Sequence, residues 1–222
     1  MCSLFCVLLN YYCVFSKKRM SNHPIIAFED NVIVSLQRQF PIAIGEQSKD
    51  IYFDLINSIV CQQLSGAVAT VIFNRFLTLF HNGYPTPELL IGLPIETLRS
   101  VGLSNSKANY IKSVAHFSIK NGLAISQLES MDDEELIGYL TQIHGVGRWT
   151  AEMILIFSLN RPDVFPVDDL SIRLGMVELY GIDLEGKELN RKLVDLANGW
   201  RPNRSLASRL IWKWKDSKRV KG

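Results

Sequence analysis

Three groups of residues have types and spacing that could do chemistry: the glycine pair Gly145 and Gly147, the indole of Trp149 just after them, and the carboxylates Asp168 and Asp169 downstream. The stretch Leu140-x-x-Ile143-x-Gly145-Val146-Gly147-Arg148-x-Thr150-Ala151 reads as a helix, a tight hairpin and a second helix over 148–159. Glycine permits positive φ and, lacking Cβ, lets another backbone come close. The first amides of the second helix have no intrahelical acceptor, and with the helix dipole they favour an anion. An anion repeated regularly along a polymer is nucleic-acid phosphate. The carboxylates precede Leu170-Ser171-Ile172-Arg173, which looks like a helix start, so on the residues alone either could be a cap. Pro162 and Pro166 stiffen the approach to them and fix where a carboxylate points.

The elements that must hold these groups are all helical. No useful length of the body alternates with period two, whereas apolar residues recur at helical spacing over 30–40, 49–63 and 65–80. Thr86-Pro87-Glu88 reads as a cap followed by proline at the first helical position, and Pro94-Ile95-Glu96 opens another short helix. A helix follows over 105–118, and Asp132 with Glu135 three positions on forms a capping-box signature ahead of the hairpin. Further helices are expected over 170–180, 186–200 and 204–214. Leu98-x-x-Val101-Gly102-Leu103-x-x-x-Lys107-Ala108 echoes the hairpin, as a second helix–turn–helix with glycine at the turn. The reading is an all-α fold of roughly ten helices.

Composition narrows the field. With 47% hydrophobic and 21% charged residues the chain is an ordinary globular protein. A formal net charge of +2 excludes a polycation, so any nucleic-acid contact comes from a local patch. Lys213, Lys215, Lys218, Arg219 and Lys221 form one candidate run, equally readable as a solvated tail over 217–222. Cys2, Cys6 and Cys13 crowd the start and only Cys61 lies in the body, which provides no disulfide framework and suits an intracellular compartment. Residues 1–19 are apolar but short of the ~20 needed to span a bilayer, and their positive charges follow the apolar run rather than precede it. Residues 1–19 are therefore expected to be an N-terminal extension upstream of a true start at Met20, with a membrane tether or signal-like segment as the second reading.

Taken together, the Gly-x-Gly hairpin, the loop Phe165-Pro166-Val167-Asp168-Asp169-Leu170, and the block Trp200-Arg201-Pro202-Asn203-Arg204-Ser205 with Trp212 resemble the helix-hairpin-helix (HhH-GPD) DNA glycosylase superfamily, in its DNA-3-methyladenine glycosylase II branch. The resemblance covers roughly 47–214. It implies one glycosylase domain over 20–216, with the hairpin at 132–159, as a helical bundle in two packed halves with the active-site cleft between them. It also implies a monomer acting on double-stranded DNA that carries alkylated purines, with no membrane partner and no required cofactor. No cysteine follows Cys61, so the four-cysteine iron–sulfur site of some relatives is absent.

The resemblance further assigns roles. Asp169 is the catalytic carboxylate and Asp168 the helix cap. Breaking an N-glycosidic bond builds oxocarbenium character on the sugar, which a fixed anion stabilises while it orients water for attack at C1′. Trp149 stands where bifunctional relatives carry a Schiff-base lysine, implying a monofunctional, water-using enzyme. Trp149 and Trp212 would sandwich a cationic alkylated base, with Tyr52 as a further pocket residue. Leu170 and Met153 stand where some relatives carry tyrosines. Gln63, in Gln62-Gln63-Leu64-Ser65, is the candidate plug for the stack left by an extruded base. Gly145, Gly147, Thr150 and Lys107 would contact DNA, and the carbonyls of Thr141, Ile143 and Val146 would hold a structural Na+ or K+. Two rival readings are a non-catalytic hairpin module that only grips phosphates, and a glycosylase for another damaged or mismatched base.

Overall fold

A computed structural model describes residues 26–42 and 44–219, and the expectations for residues 1–19, Met20 and Lys221 lie outside them. The described residues hold twelve α-helices and no strand. They divide into two compact units, one formed by Gln47–Leu159 and the other by residues 26–46 together with those from Asn160 onward.

The first unit is assembled around α2, Ile51–Cys61, which α1, Asn31–Gln39, precedes in the chain. Almost every α2 side chain is buried, so its apolar residues run all round rather than along one stripe. It packs against α3, Gly66–Leu77, and α6, Asn105–Asn121. Phe53, Phe73, Phe76, Phe80 and Tyr84 form a ladder of rings with centroids 5.2–6.1 Å apart. Short helices α4, Pro87–Gly92, and α5, Ile95–Ser100, cover α6. Lys112 ties α4 down by donating to the carbonyls of Ile91 and Leu93. Gly102 at φ +105 makes the turn into α6, so the echo of the hairpin is a real second helix–turn–helix.

Two features of this unit were not legible. Helix α7, Ile125–Glu129, is too short to show a period. The helix expected over 148–159 begins as α9, Arg148–Met153, and continues as a π-helical turn over Ile154–Ser158. Helix α8, Asp133–Leu140, has the expected capping box.

The second unit joins α1 to α10, Leu170–Tyr180, α11, Gly186–Asn198, and α12, Arg204–Arg219; α12 packs on both α1 and α10. Its polar hub is Asp30. One carboxylate oxygen caps α1 by accepting from the Val32 and Ile33 amides at 2.8 and 3.1 Å. The other accepts from Tyr180 Oη at 2.7 Å and the buried Trp200 Nε1 at 3.0 Å. Burial pushes this carboxyl up, but the bonds from Trp200, Tyr180 and the two amides outweigh it and leave its pKa below the ordinary aspartate value. A depressed folded-state pKa means the bonds stabilise fully above the unfolded pKa and are lost as pH falls through the folded one. Asp30→Asn is therefore expected to cost roughly 2–4 kcal/mol at pH 7. In urea melts from pH 7 to below 3 the difference from wild type should shrink as pH falls; a difference that does not change with pH would refute the hub's ionised state.

Candidate active site

The hairpin is fixed from both sides of its turn. Asp132 Oδ1 accepts from the Glu135 amide at 2.8 Å and the Glu135 carboxylate accepts from the Asp132 amide at 2.9 Å, which starts α8. The turn closes through Ile143 N–H to the Leu140 carbonyl at 3.1 Å and Val146 N–H to the Ile143 carbonyl at 2.9 Å, with Ile143 and Val146 buried beneath. Gly145 has φ +96, and a Cβ there would stand 2.2 Å from Tyr110 Cγ. Both backbone and space demand glycine. Gly147 differs: φ is −89 and a Cβ would meet nothing within 4 Å. It is the N-cap of α9 and has no side chain to turn back on the leading amides.

Arg148 locks the two helices of the hairpin together. Its guanidinium donates to Glu134 on α8 and to Glu152 on α9, the latter at 3.0 Å. Trp149 follows, half-buried in the first turn of α9. Thr150 is buried and its hydroxyl accepts from Gln62 Nε2 at 3.3 Å, so its side chain faces the protein instead of DNA.

Lys107 also departs from expectation. Its half-buried ammonium donates to the carbonyls of Val60 and Gln62 at 2.8 and 2.7 Å, instead of reaching out toward a phosphate. Burial lowers its pKa. These carbonyls border Gln63, which is exposed and held at φ +58, a left-handed conformation costing about 1–3 kcal/mol for a non-glycine residue. Strain of this kind persists where the surroundings over-determine it, and here Lys107 and Thr150 both hold Gln62, the residue just before it.

Tyr52, expected in the pocket, is buried with its hydroxyl donating to the Pro85 carbonyl at 2.6 Å. Burial, first, with the nearby Tyr84, Asp50 and Glu88 pushes its phenol well above the usual range, so it stays neutral. It is part of the packing between α2 and the turn before α4.

In the second unit Asp169, 9% exposed, is itself the N-cap of α10, its Oδ1 accepting from the Ile172 amide at 2.9 Å. The expected cap is thus corrected: Asp168 is exposed, and Asp169, the expected catalytic residue, does the capping itself. The same Oδ1 accepts from Trp212 Nε1 at 2.9 Å. Trp212 is fully buried (0% exposed), so the ring expected to stack on a base instead serves as a donor to the carboxylate. Leu170, beside Asp169, is 58% exposed, whereas Met153 is buried.

The loop leading to Asp169 is stitched to the start of α12. Asp163 accepts from Arg204 Nε at 2.8 Å and from Arg201 Nη1, while Arg204 Nη2 returns to the Asp163 carbonyl at 2.6 Å. Ser205 Oγ donates to the Arg161 carbonyl at 2.6 Å and accepts the Val164 amide at 3.0 Å. Asp163 was not singled out in the sequence; its signal was the Arg-Pro-x-Arg-Ser block that recognises it. The basic C-terminal run is partly engaged as well, since Lys215 and Lys218 pair with Glu178 and lie over the Trp214 ring.

A hairpin whose second helix starts on a glycine, and an aspartate held at another helix start, are what the resemblance to helix-hairpin-helix glycosylases implies. Comparison with known proteins agrees: residues 56–198 match the family described as HhH-GPD superfamily base excision DNA repair protein, and the chain belongs to it. It is 40% identical over 171 residues to DNA-3-methyladenine glycosylase 1 of Schizosaccharomyces pombe, covering 75% of this chain and 73% of that protein. It is 33% identical to the alkylbase DNA glycosidase-like protein mag2 of the same organism, over 73% of this chain and 76% of the other. Among solved structures, the S. pombe 3-methyladenine DNA glycosylase in complex with abasic DNA superposes with a TM-score of 0.72 at 37% identity, covering 83% of this chain and 91% of that one. A DNA-3-methyladenine glycosidase from Bacillus halodurans gives 0.73 at 32%, covering 86% and 88%.

Gly145→Ala tests the hairpin directly. Displacing Tyr110 and straining φ should destabilise the fold by about 2 kcal/mol or more in urea unfolding. Gly147→Ala, with open space at Cβ, should cost less than half of that; equal costs would mean the two glycines have the same role.

Proposed function

We propose that this chain is a monofunctional DNA glycosylase that hydrolyses the N-glycosidic bond of alkylated purines of the 3-methyladenine and 7-methylguanine type in duplex DNA, as the first step of base excision repair. The observation that carries the reading is Asp169: a carboxylate held at one oxygen by its own helix and by Trp212, at the end of a loop tied down through Asp163 and Ser205. Fixing a charge before the reaction avoids reorganisation at the moment positive charge develops. The names of the relatives supply the alkylated base.

In this reading the bond between C1′ and the base nitrogen breaks with its electron pair leaving on the base. Asp169 stabilises the cationic sugar and orients a water whose oxygen bonds to C1′ as its proton passes to the Asp169 carboxylate and from there to solvent. The product is an abasic site and a released purine. Trp149 offers the ring face that attracts a cationic base, and no amine occupies its position to form a Schiff base. The uncapped start of α9 at Gly147, with the turn at Gly145, takes a DNA phosphate. Gln63, exposed on its strained turn, fills the vacated stack. The carbonyls of Thr141, Ile143 and Val146 would hold a monovalent cation; that of Ile143 takes the Val146 amide and has a second lone pair to offer. Such an ion would add positive charge toward the same phosphate. The enzyme acts as a monomer, needs no cofactor, and works in the compartment that holds the cell's DNA. Among the described residues no helix is long and apolar enough to cross a membrane.

The deciding experiment is chromatographic assay of free-base release from methylated duplex DNA. Wild type should release methylated purines, and Asp169→Asn should bind DNA normally while losing roughly hundredfold or more in turnover. Borohydride should trap no covalent adduct. Full activity in Asp169→Asn would name the wrong carboxylate, an efficient trap would overturn the monofunctional mechanism, and binding without release by wild type would favour a hairpin module that only grips DNA.

A second variant separates two roles for Trp212. Trp212→Phe keeps an aromatic ring but removes the bond to Asp169 Oδ1. Single-turnover excision should fall about tenfold, the equivalent of one hydrogen bond to a charged group, with DNA affinity unchanged. Retained excision would restore Trp212 to a stacking role.

A further inference from the structure

Away from Asp169, the Gln62–Gln63 turn presents an exposed residue in a strained conformation next to one held by internal hydrogen bonds. We infer that Lys107 is a positioning residue for base extrusion: its ammonium holds the carbonyls of Val60 and Gln62 so that Gln63 is presented, already in its left-handed conformation, to the DNA stack.

Helix α2 ends at Cys61, and the carbonyls of its last turn have no following helical amide to accept. Gln62 N–H to the Ile59 carbonyl at 3.3 Å and Leu64 N–H to the Cys61 carbonyl at 3.3 Å satisfy two of them. The Val60 and Gln62 carbonyls are taken by Lys107 Nζ, at 2.8 and 2.7 Å, from α6. One ammonium thus clamps the residue before Gln63 and the helix end two residues further back. The side chain of the same Gln62 donates through Nε2 to Thr150 on α9, the second helix of the hairpin. Gln62 is therefore anchored twice, by its carbonyl to α6 and by its side chain to α9, and the next residue, Gln63, stands out exposed.

The clamp has a chemical reason to be lysine. A tetrahedral ammonium offers three donors and can serve two carbonyls converging from different directions, whereas a planar guanidinium presents its donors in a fixed fork. Lys112, five residues along α6, grips the Ile91 and Leu93 carbonyls in the same manner, so the helix uses its cations as internal ties at two points. Filling the stack with a residue that is already ordered avoids the entropy loss of ordering it on the DNA.

The inference rests on the glycosylase reading, and its test separates the two. Lys107→Met, Gln63→Ala and the double variant are assayed by single-turnover excision of the same methylated purine, placed either in a paired duplex or in an unpaired bubble flanked by the same duplex arms. Unpairing is already done in the bubble, so a plug contributes little there. Lys107→Met should lose about tenfold on the paired duplex and less than twofold on the bubble. The double variant should be no slower than Gln63→Ala alone, because a clamp without its plug has nothing to position. The salt dependence of DNA binding should be unchanged, whereas loss of a phosphate contact would lower the slope by about one.

Equal losses on both substrates, losses that multiply in the double variant, or a reduced salt slope would each overturn the role of Lys107. If wild type releases no base from either substrate, the glycosylase reading fails instead. Should Lys107→Met not fold, Lys107→Arg takes its place, with a smaller loss expected that is still confined to the paired duplex; a loss shared by the bubble would be equally fatal.

Discussion

One oxygen atom organises the second unit. Asp169 Oδ1 takes the Ile172 amide and the Trp212 indole N–H, each at 2.9 Å, so the start of α10 and the interior of α12 are joined at a single point. Much of the neighbouring polar structure keeps that point in place. The loop before Asp169 cannot drift, because Asp163 and the Val164 amide are bound to Arg204 and Ser205 at the head of α12. Helix α12 is fixed in turn by its packing on α1 and α10. The Asp30 hub secures α1 to Tyr180 and Trp200. Each bond contributes only about 1 kcal/mol net, but leaving a buried donor or carboxylate unmade costs more, so the set stands or falls together.

The first unit solves a different problem, since a surface that receives an anion must leave donors unsatisfied without leaving its own frame loose. The frame is rigid where side chains are involved: Gly145 lies against the Tyr110 ring, Ile143 and Val146 are buried, and Arg148 bridges Glu134 and Glu152. It is bare where the ligand would be, at Gly147. The cations follow the same division. Lys107, Lys112, Arg148, Arg201, Arg204, Lys215 and Lys218 all donate to groups within the protein. With a formal net charge of only +2, affinity for a polyanion then depends on oriented backbone amides as well as on surface charge.

Local signals carried most of the fold. Asp132 with Glu135, Thr86 with Pro87, and Gly102 and Gly145 at positive φ each act through neighbours a few residues away, and each element they delimit is present. What escaped was either too short to show a period, as with Ile125–Glu129, or decided by tertiary packing, as with the π-helical turn after Met153. Side-chain roles were less legible because they depend on distant partners. Lys107 meets carbonyls 45 and 47 residues back, and Tyr52 meets Pro85. A lysine or tyrosine in a pattern looks the same whether it faces DNA or a neighbouring carbonyl.

Asp168 and Asp169 show the same limit at its sharpest. Reading the pair as one cap and one functional group assumes that capping and chemistry compete for a carboxylate. A carboxylate has two oxygens and about four acceptor sites, so one oxygen can close a helix start while the group as a whole still carries its charge. Capping sets the direction of Asp169 through its own backbone. The bond from Trp212, 43 residues away, then removes the remaining rotation that a cap alone would permit. A capped carboxylate is therefore better suited to hold a developing cation than an uncapped one, because its orientation is settled before substrate arrives. The residue type that makes a good helix cap and the one that makes a fixed anion are the same, and in the proposed mechanism one side chain serves as both.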